Sequence, residues 1–388
     1  ITSDGAVALT GGSGITTAGD VTTTADAITF NSATTLSESV VLNSANGPIT
    51  LGSTVSGTTG GPAETLTLNA GTGALNVNGL FGAGGVADAT GLTTVTITEA
   101  GATTFNGAIA ITGALTQTNA ATGATTFSGT VSVGPATLRG TSFSINNSFV
   151  SSGAVSFTAS GVITGTGTLT SGSTLNLDAS SVGTAAAPLA LGVIPGEISG
   201  TLTASADATG FNISSTGVIH IGLIDAAPAG GTARNVLLVS TTSGSPQIDL
   251  GSGSGTDIKA DLVTFFAPTK IGEASNRLVV SANTIKTGIA FGGSTGSCIE
   301  TGSPQCFLAS PSGTSLTSTG VTQANEIADT LLSSILSSMT KEKVESQSEL
   351  LTSGLLPENV SKCLVYGEDG CGEDSPEGVT GGKEHARK

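Results

Sequence analysis

The stretch Gly101-Ala-Thr-Thr-Phe-Asn-Gly-Ala-Ile109 recurs 22 residues later as Gly123-Ala-Thr-Thr-Phe-Ser-Gly-Thr-Val131. In and just beyond both copies, apolar residues occupy alternate positions, which is typical of a β-strand with one buried side. These residues are Phe105, Ile109 and Ile111, then Phe127, Val131 and Val133. One strand-and-turn unit cannot bury its apolar side alone, whereas stacked units can. The doubled stretch therefore predicts a solenoid in which these six residues form a core ladder.

Similar short strands, separated by Gly, Asn and Ser-Gly turns, recur from Ala27 to Phe291. We predict an all-β fold, a right-handed parallel β-helix occupying residues 1–291. At roughly 20 residues per coil, residues 1–310 would form about 15 coils. Ile1–Asp26 is expected to form irregular coils with short strands, such as Ala6–Leu9, and Thr58–Glu64 is expected to leave the solenoid as a loop.

The composition fits many short strands joined by tight turns, because Gly accounts for 57 of the 388 residues and charged residues for only 10%. The net charge is −16, and no Lys or Arg precedes Arg139. This balance argues against nucleic acid and anionic membranes as partners, since both attract basic surfaces. No apolar run is long enough to predict membrane insertion. The chain opens at Ile1 without a signal peptide, which suggests a processed, secreted piece.

The pattern changes after the predicted solenoid. Residues 292–321 form a Gly/Ser/Pro-rich linker, 322–349 a predicted amphipathic helix, and 350–388 an acidic, flexible tail. This helix either caps the last coil of its own solenoid or reaches a neighbouring subunit. Its apolar side consists of Ile327, Leu331, Leu332, Ile335, Leu336 and Met339.

Two cysteine pairs, Cys298 with Cys306 and Cys363 with Cys371, are each separated by eight positions. Zinc sites favour closer pairs and His partners, so a disulfide within each pair is the simplest prediction. Cross-pairing of the two loops and bonds between subunits remain alternatives. No metal or cofactor is expected.

Enzymes on β-helices need acids and bases clustered along one groove. The densest group here is Asp249, Asp257 and Asp261, with Lys259 and Lys270 nearby, and we interpret these as turn residues and solvated side chains.

The two histidines do not suggest catalysis either. His220 alternates with apolar neighbours in a predicted strand, and His385 lies in the tail. We therefore assign no catalytic residue and predict that the chain is not an enzyme.

Two segments, Val182–Leu189 and Ile271–Leu278, share a V/I-G-x-A-x-x-P-L pattern, with Arg277 replacing Pro in the second. With Gly217-Val-Ile-His-Ile-Gly222 and the coil at Gly73–Asn78, they resemble passenger regions of filamentous-haemagglutinin-like surface proteins. Those are Gram-negative exoproteins of the two-partner-secretion or autotransporter type. The resemblance spans roughly residues 27–290 and implies a β-helical, cell-surface protein.

Taken together, these features predict an extracellular structural protein, a subunit of a surface filament, fibre or sheath that polymerises head-to-tail with itself. The alternatives are an adhesin that binds host or neighbouring cells through a surface or matrix partner and, more remotely, a carbohydrate-active β-helix enzyme.

Overall fold

A computed structural model describes most of residues 1–288. Its described residues are 1–288 and 307–309, with gaps at 59, 61–62, 83–90, 120–122, 204–208, 229–230, 243–247, 251–256, 268–270 and 272–277. The chain divides into two compact units, Ile1–Asn325 and Glu326–Lys388, and every described residue belongs to the first. The predicted linker, helix and tail lie outside the described residues, so those boundaries stay predictions.

Thirty-five strands are described, and most of the early ones contain only two to four residues. In chain order they are β1 Thr2–Ser3, β2 Val7–Leu9, β3 Ile15–Thr17, β4 Val21–Thr23, β5 Ile28–Phe30, β6 Thr34–Leu36, β7 Val40–Asn43, β8 Ile49–Leu51, β9 Val55–Gly57, β10 Ala63–Asn69, β11 Leu75–Val77, β12 Phe81–Gly82, β13 Gly91–Glu99, β14 Thr103–Phe105, β15 Ile109–Ala110, β16 Leu115–Gln117, β17 Thr125–Phe127, β18 Val131–Val133, β19 Ala136–Gly140, β20 Phe143–Ile145, β21 Phe149–Ser151, β22 Val155–Ala159, β23 Val162–Thr164, β24 Thr168–Ser171, β25 Leu175–Asp178, β26 Ser181–Val182, β27 Leu189–Leu191, β28 Ile198–Thr201, β29 Phe211–Ser215, β30 Ile219–Asp225, β31 Val236–Ser240, β32 Ile248–Leu250, β33 Ile258–Phe266, β34 Leu278–Gly288 and β35 Phe307–Ala309.

From β1 to β26, each strand pairs in parallel with the strand three places further along the chain. The strands therefore form three faces, which we call the first face (β1, β4 and so on to β28), the second face (β2, β5 and so on to β26) and the third face (β3, β6 and so on to β27). This arrangement confirms the predicted all-β parallel solenoid. The described residues form about 11 turns and contain no helix. The handedness and the count of about 15 coils stay predictions.

Alternating burial explains why these short segments become strands. In β11, for example, Leu75 and Val77 are buried while Asn76 between them is partly exposed. Parallel register places each inward residue over an inward residue of the next coil, as Leu75 lies over Ile49. The inward residues join into one continuous hydrophobic cluster. Each buried Val, Leu, Ile or Phe contributes about 1.5–3 kcal/mol before the loss of chain entropy.

The solenoid is regular from its first described coil. β1 pairs with β4, β2 with β5 and β3 with β6. The short strand expected at Ala6–Leu9 is confirmed as β2. The irregularity expected of Ile1–Asp26 is wrong, because strands of two or three residues suffice when the neighbouring coil supplies their hydrogen-bond partners.

The loop expected over Thr58–Glu64 is also wrong for its last two residues. Ala63 and Glu64 begin β10, and their backbones pair with Gly91 and Leu92 of β13. The side chain of Glu64 points inward and is only 1% exposed. The sequence offered a signal for this orientation, because Glu64 precedes the inward residue Leu66 by two positions, the spacing of residues on one side of a strand.

The three-face order ends at β29. This strand pairs with β26 of the second face and with β27 of the third, so two faces merge in it. The later strands are longer, reaching nine residues in β33 and eleven in β34.

Candidate functional site

The doubled stretch lies at the centre of an aromatic ladder. Phe105 and Phe127 are register partners in β14 and β17, and their buried rings stack in parallel with centroids 5.3 Å apart. Phe81 packs edge-on against Phe105, and Phe149 packs edge-on against Phe127. Such pairs add about 0.5–1.5 kcal/mol each beyond burial.

The aliphatic residues of the doubled stretch are also buried in successive coils. Ile109 is the register partner of Val131, and Ile111 donates its backbone N–H to Ser132, beside Val133. The structure thus places all six residues of the expected ladder in the interior.

The repeated glycines of the doubled stretch lie directly over each other. A Cβ built on Gly123 would overlap the carbonyl oxygen of Gly101, and one on Gly129 would overlap that of Gly107. Side chains at these positions would force neighbouring coils apart, which explains why both copies carry Gly there.

One polar contact lies inside this apolar interior, and the sequence analysis missed it. The Thr125 hydroxyl donates to Gln117 Oε1 at 3.0 Å, and Gln117 Nε2 donates to the carbonyl of Arg139 at 2.6 Å. Gln117 and Thr125 are both buried. The sequence offered a signal for this position, because Gln117 follows Leu115 at the alternating spacing of inward residues. In the structure, Gln117 is the register partner of buried Ile97.

The described members of the candidate acidic group do not converge on one point. Asp257 is buried, whereas Asp261 is exposed and accepts a 2.8 Å hydrogen bond from Asn283. These two residues are separated by four positions at the start of β33, a distance of roughly 13 Å along an extended chain. Lys259 instead pairs with Asp225 of the adjacent coil at 3.1 Å. Asp249 lies on β32, and Lys270 lies outside the described residues.

His220 points outward, as expected for an alternating strand residue. It is partly exposed in β30, between buried Ile219 and Ile221, and its register partner is Asp249. His385, all four cysteines and the six apolar residues expected on the helix lie outside the described residues.

Outward residues on the second face form a polar column. Thr29, Thr50, Asn76, Thr104 and Thr126 are register partners in successive coils. Beside this column, Asn106 Nδ2 donates to Asn78 Oδ1 of the previous coil at 2.9 Å. The second face therefore presents hydroxyl and amide groups at the strand repeat of about 4.8 Å.

Charged outward residues are concentrated on or beside the first face. Glu99, Arg139 and Asp178 belong to β13, β19 and β25, and the Lys259–Asp225 pair joins β33 to β30. Between Glu99 and Asp178, Arg139 is the only charged residue in the sequence. The second and third faces of the intervening coils are consequently uncharged.

Across the described ranges, no group of three or more His, Cys, Asp or Glu side chains is placed to hold a metal ion. Within the same ranges, no helix has the length and hydropathy needed to cross a membrane.

Comparison with known proteins found no matching family model, no matching curated protein and no matching solved structure.

Proposed function

We propose that this chain is an extracellular structural protein, the subunit of a filament, fibre or sheath built from solenoids joined head to tail. The observation that carries the proposal is the unbroken parallel pairing from β1 to β34. Each coil hydrogen-bonds to the next, so the backbone ladders run along the solenoid axis. Such a ladder resists extension and can be continued by a strand from another copy.

The first described coil illustrates which backbone groups this mode of joining would use. β1, β2 and β3 pair on one side with β4, β5 and β6. In β2, Val7 donates its N–H to Ala27, and Leu9 accepts from Asn31. Because alternate residues of a strand point their backbone groups to opposite sides, the N–H of Ala8 points away from β5. Head-to-tail joining would use this side of β2.

Electron microscopy of the full chain tests the proposal. We expect long fibres from the wild type and isolated particles from Ala8→Pro, which removes the outward N–H but keeps the β2–β5 hydrogen bonds. Ala8→Ser is the matched control and should still form fibres. A wild type that stays monomeric at every concentration tested, with normal circular dichroism, would overturn the proposal.

An adhesin of the filamentous-haemagglutinin-like type is the second candidate. The polar column of the second face favours it, because aligned hydroxyl and amide groups offer many hydrogen bonds to a cell-surface partner. In that case isolated solenoids should bind cells, and Thr104→Ala with Thr126→Ala should weaken this binding without altering the particles seen in the microscope.

A further inference from the structure

We propose that the side-chain amide of Asn146 is an acceptor for N-linked glycosylation, a role that depends on the proposed export of the chain but not on its head-to-tail assembly. The sequence contains three Asn-x-Ser tripeptides, which begin at Asn146, Asn212 and Asn359. This tripeptide is the acceptor for N-linked sugars in exported proteins. Asn359 lies outside the described residues, and the structure separates the other two by their access to solvent.

Asn146 lies at a corner on the outside of the solenoid, between β20 and β21. All three residues of its tripeptide, Asn146, Asn147 and Ser148, are exposed. The previous coil fixes their backbone, because the Asn146 N–H donates to the carbonyl of Phe127 at 2.9 Å and Ser148 accepts from the N–H of Val131 at 2.8 Å. A transferase would therefore reach the whole tripeptide without opening a strand.

Hydrogen bonding leaves the reacting nitrogen of Asn146 available. The Ser144 hydroxyl donates to Asn146 Oδ1 at 2.9 Å and so holds the oxygen side of the amide. Within the described ranges, no group accepts a hydrogen bond from Asn146 Nδ2. Nδ2, the atom that would receive the sugar, is therefore free to bind an incoming donor.

The neighbouring coils leave room for a sugar at this corner. Gly165 and Gly167 of the next coil lie against it, and a Cβ on either would overlap a carbonyl oxygen of the corner. Between these glycines lies the exposed Thr166, and in the previous coil the exposed Ser128 lies beside Asn146. A sugar on Nδ2 would therefore meet small, uncharged residues and extend into solvent.

Asn212 begins a tripeptide of the same type but is closed to modification. It lies inside β29 and is only 1% exposed, and its Nδ2 donates to the carbonyl of Val182 at 3.3 Å. Its register partner in the next coil is Leu237, which is also buried. The fold therefore selects Asn146 over Asn212, although the sequence does not distinguish them.

The proposed reaction transfers a sugar from a donor in which the sugar is linked to a diphosphate. Asn146 Nδ2 forms a bond to the anomeric carbon of the sugar. The bond between that carbon and the diphosphate oxygen breaks, and its electron pair leaves with the diphosphate. The amide loses one proton to a base of the transferase, so the linked Asn146 stays uncharged.

Transfer to the folded full chain tests the acceptor. A variant with Asn359→Gln, which keeps only the two described tripeptides, would be incubated with UDP-glucose and a purified N-glycosyltransferase specific for Asn-x-Ser/Thr. Site-resolved mass spectrometry should find glucose on Asn146 at a rate at least about tenfold higher than on Asn212, because Asn212 is reached only when β29 opens. No glucose on Asn146, or equal rates at the two sites, would overturn the proposal.

Three substitutions in this variant locate the reaction. Asn146→Gln and Ser148→Ala should each abolish the rapid transfer, because they remove the acceptor amide and the hydroxyl of the tripeptide. Asn212→Gln is the matched control and should leave the rapid transfer unchanged. Circular dichroism should be the same for all three, and rapid transfer that persists in a folded Asn146→Gln would overturn the assignment.

The chain isolated from the cells that export it tests the proposal in its natural setting. We expect a sugar on Asn146, a single hexose if the donor is a nucleotide sugar and a preassembled oligosaccharide if the donor is a lipid-linked sugar. An unmodified Asn146 in this material would overturn the proposal.

Glycosylation and fibre formation can fail separately. Ala8→Pro should abolish fibres yet leave glucose transfer to Asn146 unchanged, whereas Asn146→Gln should prevent transfer and leave fibres intact. Loss of transfer in a folded Ala8→Pro variant would show that Asn146 is an acceptor only within the fibre, and would overturn its role as a site on the single chain.

Discussion

The central coils, Thr103–Asp178, and the later coils, Phe211–Gly288, solve the same packing problem differently. The central coils use strands of two to five residues, three to a coil, with aromatic rings stacked from one coil to the next. The later coils use longer strands, begin with a strand that joins two faces, and carry the charged pair Lys259–Asp225 on their surface.

The difference shows how a repeating sequence dictates a repeating structure. Where Gly, Thr and Phe recur at one spacing, each residue lies over the same residue type in the next coil, as Phe127 lies over Phe105. Where the spacing between successive strands changes, from β29 onward, the strands still pair in parallel but no longer form three separate faces. Parallel pairing is therefore more robust to sequence change than the three-face cross-section.

The largest effect should come from removing a ring at the centre of the ladder. Phe127→Ala should lower the free energy of unfolding by about 3–5 kcal/mol, because it leaves a cavity between Phe105 and Phe149. Denaturant unfolding followed by circular dichroism would measure the loss. Thr126→Ala, at the partly exposed position next to it, is the control and should change stability little.

A matched pair of Leu substitutions isolates the ring stacking. Phe127 and Phe211 are equally buried, but within the described residues Phe211 has no ring partner. Phe127→Leu should therefore cost about 1–3 kcal/mol more than Phe211→Leu, the sum of two ring pairs. Equal costs would mean that the ladder adds nothing to ordinary burial.

The stacked glycines come next. Gly123→Ala should cost about 1–3 kcal/mol, because the new methyl group overlaps the carbonyl of Gly101 in the coil before it. Gly19→Ala is the control, since a Cβ there meets no atom within 4 Å. Thermal unfolding would report both. A neutral Gly123→Ala would show that the central coils separate more easily than their close stacking suggests.

The buried polar contact should have a moderate and non-additive effect. Gln117→Leu should cost about 1–2 kcal/mol, because it leaves the Thr125 hydroxyl buried without its acceptor. Adding Thr125→Val should recover part of this loss. A double-mutant cycle measures the coupling, and simple additivity of the two substitutions would contradict the interpretation.

The smallest effect belongs to the later coils. Lys259→Ala should cost only about 0.2–1 kcal/mol, because the Lys259 side chain is 44% exposed where it meets Asp225. The cost should shrink in high salt, unlike that of Phe127→Ala. If the loss of stability in Lys259→Ala did not depend on salt, it would come from packing of the aliphatic part of the lysine side chain and not from its charge.

Much of the solenoid could be predicted from the alternation of apolar and polar residues and from the 22-residue repeat. The alternation indicates which side chains point inward, and the repeat indicates which of them stack between neighbouring coils. Phe105 and Phe127 are the clearest case. The merging of faces at β29 could not be predicted, since it depends on how strands of unequal length accommodate each other. Gln117 and Glu64 were missed although they fit the alternation, because polar residues are rarely expected inside.

Parallel pairing also gives the solenoid a direction. Every strand that pairs adds to the same side of the one before, so the two ends of the stack are formed by different strands with different residues. If copies continue this ladder, all of them must point the same way. Such a polymer would have two different ends and elongate at a different rate from each. If one end were anchored, every subunit would point in the same direction relative to the anchor.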